Sequence, residues 1–454
     1  DPEMSRGLGD VYKRQISSWF SNLKLRASYG MMGDDNLGGL YPDFAYLSGY
    51  TYYKGQSLMP DDPFSSVKSK KVIGSAPKGI PVTTISWMKI KLMNVGIDFG
   101  FFDNRLTGEF DLFKRMRDGI PGTPSDIMFP LETGLSALPE NMNSDMTVGF
   151  DAFVKWNDKV GDLKYSVGAN ITFARQKNGK RHGEIFGNAW DKYRWAQSNR
   201  WSNVVLNTDQ GNAGGVWMWE VIGRFETQEQ IDSYPVDQDG QNNATVRPGD
   251  VILRDVNGDG IINDFDERPQ AYASADWPWD SSTSNKNPLI SMGINLGFEW
   301  KGFDVAADFA GGFKNTFVAD WDLKWGVTRS VNGYYYNNID VWRHEDIFDP
   351  KSPWIPGKFP ALRGQESHSG RWWNSFYTRE VNYLRLRNLV VGYSLPKNWI
   401  RKVGMEQCRI YFQGTNLFCL SSLHDYGFDP EISTVNGQDY PQHKVLTLGV
   451  NVKF

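Results

Sequence analysis

The last ten residues, VLTLGVNVKF (445–454), carry the pattern that decides the fold. Their side chains alternate between an apolar set and a mostly polar set: Leu446, Leu448, Val450, Val452 and Phe454 on one side, and Thr447, Gly449, Asn451 and Lys453 on the other. Because successive side chains of a strand point to opposite faces, this alternation predicts a β-strand with one apolar face.

The same alternation occurs in nine segments upstream, at 22–33, 94–102, 106–112, 146–156, 163–173, 292–300, 303–309, 383–396 and 408–418. Short connections follow the second, fourth, sixth and eighth of them, whereas long links lie near 33–85, 118–143, 176–290, 314–380 and 421–444. Outer-membrane barrels show this rhythm, with tight periplasmic turns at one rim and long extracellular loops at the other. We therefore predict an all-β fold, an antiparallel transmembrane β-barrel with at least ten strands in this chain.

Composition limits the other possibilities for the 454-residue chain. Its net charge of −4, without a basic cluster, argues against nucleic acid as a partner. Its two cysteines, Cys408 and Cys419, are too sparse for a disulfide framework and are interpreted as small strand residues. The sequence has no apolar run of about 18 residues, so a transmembrane helix is excluded. A soluble β-sandwich would explain any single strand, but not the alternation of long and short connections.

The first fifteen residues, DPEMSRGLGDVYKRQ, share no pattern with the rest. They contain no apolar core of the kind a secretory signal needs. We interpret residues 1–15 as a non-native, adaptor-like tail, with a native tail as the alternative, and 16–454 as the C-terminal part of a barrel truncated on its N-terminal side.

Several stretches resemble a known family. At the C-terminus they are VNYLRLRNLVVGYSLP (381–396), IYFQGTNLF (410–418), FDPEIS (428–433) and YPQHKVLTLGVNVKF (440–454). Upstream they are LKLRASYGMMGDDN (23–36), NVGIDFGFFDNRLTGEFDLFKR (94–115), NMNSDMTVGFDAFVKW (141–156) and RPGDVILRDVNGDGIINDFDE (247–267). In this order they are similar to the barrel motifs of SusC/RagA-like TonB-dependent transporters of Gram-negative bacteria.

The resemblance implies a barrel of about 22 strands with a plug inside, integral to the outer membrane and in contact with its lipid. It implies active import of oligosaccharides or peptides, with energy from the TonB-ExbB-ExbD complex and a SusD-like surface lipoprotein as a lid. The signal peptide, the plug, the TonB-engaging segment and the first half of the barrel are then expected outside this chain. Phe454 is similar to the terminal aromatic that the barrel-assembly machinery reads.

One stretch, DVNGDGIINDFD (255–266), matches the template of a calcium-binding loop. Its candidate oxygen ligands come from Asp255, Asn257, Asp259, the carbonyl of Ile261, Asn263 and Asp266. Position twelve is an aspartate where the template has glutamate, and no clear helices flank the loop. The alternative is a turn held by side-chain hydrogen bonds without a metal. No other cofactor is expected.

Aromatic residues are frequent in the predicted loops: Trp190, Trp195, Trp201, Trp217, Trp219, Trp277, Trp279 and Tyr334 to Tyr336. Such rings suit sugar faces or a protein partner, or they pack into small cores of the loops themselves. They do not define a substrate site. Other aromatic residues near strand ends, such as Trp156, Trp300, Trp372 and Trp373, are interpreted as residues of the membrane-interface belt.

Catalytic motifs are missing from the sequence. It contains no HExxH, no GxSxG and no phosphate-binding glycine loop, and it has only five histidines. A hydrolase would need two carboxylates, and only the DPE at Asp429 to Glu431 stands out, where a loop-stabilising turn is the simpler interpretation. Apart from an importer, the sequence leaves open a secreted β-rich carbohydrate-binding module and an extracellular hydrolase.

Overall fold

The fold is described from a computed structural model. It covers residues 20–35, 46–56, 72–77, 80–122, 124, 130, 137–180, 189–190, 193, 216–271, 288–318, 340–361, 374–424, 428–431 and 442–454. The interpretation of residues 1–15 falls outside these ranges, as do Trp195, Trp201, Trp277, Trp279, Tyr334 to Tyr336, Trp372 and Trp373.

The described residues are mostly strand. The strands are β1 (Phe20–Asp34), β2 (Tyr50–Gln56), β3 (Val72–Pro77), β4 (Met88–Phe101), β5 (Leu106–Gly122), β6 (Glu140–Val160), β7 (Leu163–Asn178), β8 (Val216–Met218), β9 (Val221–Arg224), β10 (Val251–Leu253), β11 (Arg268–Ala271), β12 (Ile290–Trp300), β13 (Phe303–Val318), β14 (Arg343–His344), β15 (Trp354–Ile355), β16 (Thr378–Ser394), β17 (Gln407–Thr415), β18 (Cys419–Ser421) and β19 (Val445–Lys453). The α-helices are α1 (Gln228–Asp232) and α2 (Lys397–Ile400), and three 3₁₀ turns cover Asp264–Asp266, Ser375–Tyr377 and Arg401–Val403.

One large antiparallel sheet organises the molecule. Its strand order is β1-β4-β5-β6-β7-β12-β13-β16-β17-β19, and β18 pairs with β16 beside this path. All ten strands of the path correspond to the ten segments that the sequence predicts, so the all-β antiparallel fold is confirmed. Eight of these ten strands are longer than predicted, and β6, for example, starts at Glu140 and ends at Val160, whereas β17 and β19 are slightly shorter.

Three of the four short connections are tight turns, whereas the fourth, between β16 and β17, contains α2 and the 3₁₀ turn Arg401–Val403. Between β4 and β5, Phe102, Asp103 and Asn104 all adopt positive φ angles, and between β12 and β13 Lys301 and Gly302 do the same. The connection predicted at 157–162 is shorter in the structure, because the pairing continues to Val160 opposite Leu163. Only two residues are then left for the turn, and tight hairpins favour such lengths.

The two faces of the large sheet differ in chemistry. On one face, apolar side chains remain exposed on strand after strand: Leu25, Val95, Leu112, Val154, Val167, Phe298, Phe303, Val391, Phe412 and Leu448. In β4 this apolar row runs from Met93 to Phe101, about 26 Å along the strand. At a tilt of about 40° the row spans roughly 20 Å, close to the height of the apolar band of a membrane barrel.

The apolar row ends in an ion pair at one edge and in aromatic contacts at the other. Towards the long links it ends at Lys91, whose Nζ lies 2.6 Å from Asp118 Oδ2. Towards the short turns it ends in aromatic contacts: the rings of Phe303 and Tyr393 are 4.4 Å apart, and those of Phe102 and Trp156 are 6.0 Å apart. Trp156 and Trp300 lie at this end of the apolar row, and Trp300 is half-exposed; their place in a membrane-interface belt stays a prediction.

The long links contain structure of their own. The link between β7 and β12 forms two small sheets, β8 with β11 and β9 with β10. They enclose two apolar cores: Trp219, Val251, Leu253 and Ile262 in one, and Phe225, Ile231, Val246 and Ile252 in the other. Helix α1 begins where Thr227 accepts a hydrogen bond from the backbone N–H of Gln230.

Residues 340–361 pack against the two small sheets of the link between β7 and β12. Gly249, at a φ of +91°, lies against the ring of Trp342, leaving no room for a Cβ. The Arg224 guanidinium donates hydrogen bonds to the carbonyl oxygens of Gly357 and Lys358. Ser375 Oγ accepts from the Val221 backbone N–H at 2.9 Å. We call residues 216–271, 340–361 and 374–377 together the link unit.

Helices contribute little to the fold. In the part of the chain that the structure describes, none is long and apolar enough to cross a membrane.

Candidate functional site

The polar face of the large sheet carries ion pairs that cross a whole strand. Arg26 of β1 donates to Asp98 of β4 at 2.8 Å and reaches over β4 to Asp111 of β5, also at 2.8 Å. The strand crossed has Gly96 at this point, in register with both Arg26 and Asp111. A Cβ on Gly96 would come 2.9 Å from the carboxyl carbon of Asp111 and 3.2 Å from Cζ of Arg26. The absence of a side chain at Gly96 therefore lets the Arg26 side chain cross β4 to reach Asp111.

A second bridge repeats this construction on the same face, between strands nearer the other end of the sheet. Arg409 of β17 donates through Nε to Asp304 of β13 at 2.9 Å, across β16. The residue beneath the pair is Gly392, and a Cβ there would come 2.6 Å from atoms of both side chains. Bridges over glycine tie together three strands at a time, and they keep charged groups neutralised in pairs on this face.

These bridges make a prediction for Gly96→Ala. The new methyl group would push Arg26 and Asp111 apart, so we expect the free energy of unfolding to fall by about 1–3 kcal/mol. Gly30→Ala is the matched control: Gly30 lies on the same face of neighbouring β1 with nothing within 4 Å of a Cβ. It should change stability by less than about 1 kcal/mol. Urea unfolding in detergent or lipid measures both, and equal effects would contradict the bridge.

A third polar cluster joins the last long link to β16. Arg385, only 4% exposed, donates to Asp429 Oδ1 at 2.6 Å. Arg387 pairs with Glu431, and Gln442 donates to the same carboxylate at 2.8 Å. A β-bulge leaves Arg387 opposite no residue of β13.

This cluster defines the role of the DPE stretch. Asp429 and Glu431 are both held by arginine side chains, and Asp429 Oδ1 also accepts from the Glu431 backbone N–H at 2.9 Å. Carboxylates held in this way anchor a loop. This agrees with the simpler interpretation of the DPE stretch, a loop-stabilising turn. We call Arg385, Arg387, Asp429, Glu431 and Gln442 the β16 anchor.

The calcium-like loop is closed by its own hydrogen bonds. Asp255 accepts from the backbone N–H groups of Gly258 at 2.6 Å and Gly260 at 2.8 Å, and Asp259 accepts from that of Ile261 at 3.0 Å. Asp266, fully buried, accepts from Val256 and Asn263. The hydrogen bond from Ile261 lowers the pKa of the Asp259 carboxyl.

The remaining candidate ligands of this loop are also engaged. Asn257 and Asn263 both donate to Asp259 Oδ2, at 2.8 and 3.2 Å. Within the described ranges, no three acidic, histidine or cysteine residues are grouped to hold a metal ion. The hydrogen-bonded arrangement is the one expected of the metal-free turn, and calcium binding stays a prediction.

Calcium titration followed by calorimetry tests that prediction. If the loop is a calcium site, millimolar calcium should bind the chelated protein with one-to-one stoichiometry and raise its melting temperature. Asp255→Asn should then weaken binding at least tenfold, because it removes a charged ligand. Absence of binding at millimolar calcium would establish the turn as a purely hydrogen-bonded one.

A second aspartate holds the neighbouring loop of the link unit. Asp239 is nearly buried, and its carboxylate accepts from both Oγ1 and the backbone N–H of Thr245, each at 2.7 Å, and from Gln241 and Asn243. Burial acts to raise the pKa of Asp239, but these hydrogen bonds outweigh it and lower the pKa to about 2.

The lowered pKa of Asp239 makes the stability of this loop depend on pH. Because the folded state has the lower pKa, the stabilisation is complete above the unfolded value of about 3.8 and is lost as the pH falls towards 2. We expect a loss on the order of 1–2 kcal/mol. Hydrogen exchange of peptides from 236–253 between pH 5 and pH 2 measures it. Asp239→Asn should abolish this dependence, whereas Asp232→Asn on the surface of α1 should not.

The aromatic residues of the links divide between two environments. Trp219 is 5% exposed and lies in a core of the link unit, as the alternative of small loop cores predicts. Trp190 stacks on Tyr193 with ring centres 5.3 Å apart, and Phe265 meets it edge-on at 5.5 Å. Of Trp217 only the backbone is described.

The C-terminal Phe454 is 81% exposed and continues the apolar row of β19.

Two curated proteins of known class are similar in sequence to this chain. The chain matches no protein-family model. It is 23% identical over 446 residues to the TonB-dependent receptor SusC of Bacteroides thetaiotaomicron. The aligned region covers 96% of this chain and 38% of SusC. It is 22% identical over 485 residues to the TonB-dependent receptor P39 of Formosa agariphila, covering 95% of this chain and 40% of that protein.

Solved structures share the fold. A structure of the RagAB peptide transporter superposes with a TM-score of 0.59 at 21% identity, over 98% of this chain and 42% of that one. The RagAB peptide importer in the closed-closed state gives a TM-score of 0.60. The resemblance seen in the sequence is thereby confirmed. The chain spans about two-fifths of the length of the relatives it matches, and these are receptors and transporters rather than enzymes.

Proposed function

We propose that this chain is part of the wall of an active importer in the outer membrane of a Gram-negative bacterium, similar to SusC/RagA-like TonB-dependent transporters. It takes up oligosaccharides or peptides and carries out no covalent chemistry.

The observation that supports this proposal most strongly is the two-faced sheet. A sheet that leaves Leu25, Val95, Phe298 and Leu448 exposed cannot keep that face in water at low cost. The band is apolar over roughly 20 Å and is bordered by charged residues on one side and aromatic rings on the other, as a lipid-facing surface would be. The opposite face carries the bridges over Gly96 and Gly392 and suits the water-filled side of a barrel.

The relatives support the cargo and the partners of this proposal. RagAB is described as a peptide transporter, and SusC as a TonB-dependent receptor. By analogy we assign to this chain a SusD-like lipoprotein lid, energy from TonB-ExbB-ExbD, and insertion by the barrel-assembly machinery, which would recognise Phe454.

Uptake by living cells tests the proposal. The coding region of this chain is deleted in frame from the source bacterium, and uptake of fluorescent oligosaccharides and of fluorescent peptides is followed in parallel. We expect the deletion to abolish uptake of one of the two cargo classes, and a proton uncoupler to do the same in the parent strain. Unchanged uptake of both classes would overturn the proposal.

The secreted carbohydrate-binding module makes a different prediction. Such a module would be soluble and monodisperse without detergent, whereas the exposed apolar face predicts aggregation or membrane association. Fractionation of the native protein therefore separates the two: recovery in the culture medium or a salt wash would favour the module.

A further inference from the structure

A loop of the link unit presents two apolar side chains almost entirely to solvent. Ile347 is 71% exposed and Phe348 is 88% exposed, side by side at the tip between β14 and β15. Single exposed apolar residues are common, but an adjacent pair exposed to this degree is expensive in water. The pair is therefore a candidate contact point for another molecule.

The loop that carries the pair is rigidly built. Asp346 accepts through Oδ1 from the Phe348 backbone N–H at 2.9 Å, and Asp349 accepts from that of Lys351 at 2.9 Å. Ser352 Oγ closes the loop by donating to the carbonyl oxygens of Asp346 and Asp349. The base is fixed by His344, whose ring lies 3.9 Å from that of Trp354.

The rigid loop is itself anchored to a larger body. Trp342, at its base, packs against Gly249, and the carbonyl oxygens of Gly357 and Lys358 accept from Arg224. A tip held in this way loses little conformational entropy on binding, which is a property of good interface anchors. The two side chains are thus pre-organised for a contact.

The charges around the tip indicate the kind of surface that it meets. Glu345, Asp346 and Asp349 lie within four residues of one another, and the nearest basic residues along the chain are Arg343 and Lys351. Three carboxylates disfavour insertion into a membrane surface that carries anionic groups. They favour a protein surface on which basic residues surround an apolar pocket.

We propose that Ile347 and Phe348 insert into an apolar pocket with a basic rim on a protein partner. This inference rests on the proposed function, in which that partner is the lid lipoprotein. The aromatic side chain is the central anchor, because large rings that fill a desolvated pocket carry most of the binding energy of an interface. The acidic residues fix the orientation and raise the association rate.

Binding of the purified lid lipoprotein to the intact receptor in detergent tests the proposal. Biolayer interferometry compares the wild type with Phe348→Ser, Ile347→Ser and Glu345→Lys. Ile222→Ser is the matched control, since Ile222 is a half-exposed apolar residue elsewhere in the link unit. We expect Phe348→Ser to weaken binding at least about 30-fold, as at a hot spot, and Ile222→Ser less than about threefold. Glu345→Lys should lower the association rate most at low salt.

The outcomes separate this inference from the proposed function. If the lipoprotein binds the wild type and all variants equally, the tip is not the anchor, while the importer with its lid stands. If the lipoprotein does not bind the wild type at all, the lid partnership fails and the inference fails with it. Equal losses in Phe348→Ser and Ile222→Ser would also overturn it. Because the side chain of Phe348 is almost wholly in solvent, its removal should leave folding intact, and an unchanged melting temperature verifies this.

Discussion

Replacing Ile294 with arginine is expected to cost the intact protein about 2–4 kcal/mol of stability in a lipid bilayer. Ile294 lies on the apolar face in the central strand β12, opposite Ala169 of β7 and Phe309 of β13. A charge there would face hydrocarbon near the middle of the band, where it can be neither hydrated nor paired. Urea unfolding in lipid vesicles, followed by tryptophan fluorescence, measures the loss.

The neighbouring position supplies the control. Asn295 lies on the polar face and donates to Asp308 Oδ1 at 2.7 Å. Asn295→Arg introduces the same side chain one residue further along, next to a carboxylate, and should change stability by less than about 1 kcal/mol. If both arginines were tolerated equally, the apolar face would not be lipid-facing, and the membrane assignment would lose its main support.

Removing the guanidinium from the β16 anchor should be the second large effect. In Arg385→Met, the carboxylates of Asp429 and Glu431 lose a nearly buried partner, since the Arg385 side chain is only 5% exposed. Breaking a buried pair from one side costs about 3–5 kcal/mol, and the partial exposure of the acids places the expected loss near 3 kcal/mol. Arg385→Lys should recover only part of it, because an ammonium cannot reproduce the forked contact.

An exposed ion pair provides the comparison for the anchor. Lys453 and Glu406 lie 3.1 Å apart with side chains 71% and 64% exposed. Lys453→Met should therefore cost less than about 1 kcal/mol in the same unfolding assay. A loss in Arg385→Met no larger than that in Lys453→Met would show that the anchor does not hold the last link.

The sheet could be predicted from the sequence because its signal is local. Each strand of the path repeats a two-residue period over seven or more residues, because one face of the sheet is apolar and the other is polar. The small strands β8 to β11, β14 and β15 have two to four residues each. Such segments are too short to show a period, and they form only because the link unit provides a core.

The polar contacts needed the structure. Glycines 96 and 392 are visible in their strands, and glycine in a strand interior hints at a close approach. The side chain that approaches depends on the register of two neighbouring strands, which no local pattern records. The bulge at Arg387 was hidden for the same reason. In the loop at 255–266, the residues that would hold calcium are the ones that close a hydrogen-bonded turn, so composition could not distinguish the two.

The unbroken register between β12 and β7 has a consequence for how such a protein can change in sequence. Strands β12 and β7 pair residue by residue from Ile290 opposite Phe173 to Glu299 opposite Lys164, without an irregularity. Deleting a single residue inside such a strand would exchange its inward and outward side chains from that point on. The links obey no such parity and can gain or lose residues freely. Length variation is therefore expected to be confined to the links. There it can alter which ligands are recognised, while the strands of the large sheet keep their alternation of inward and outward side chains.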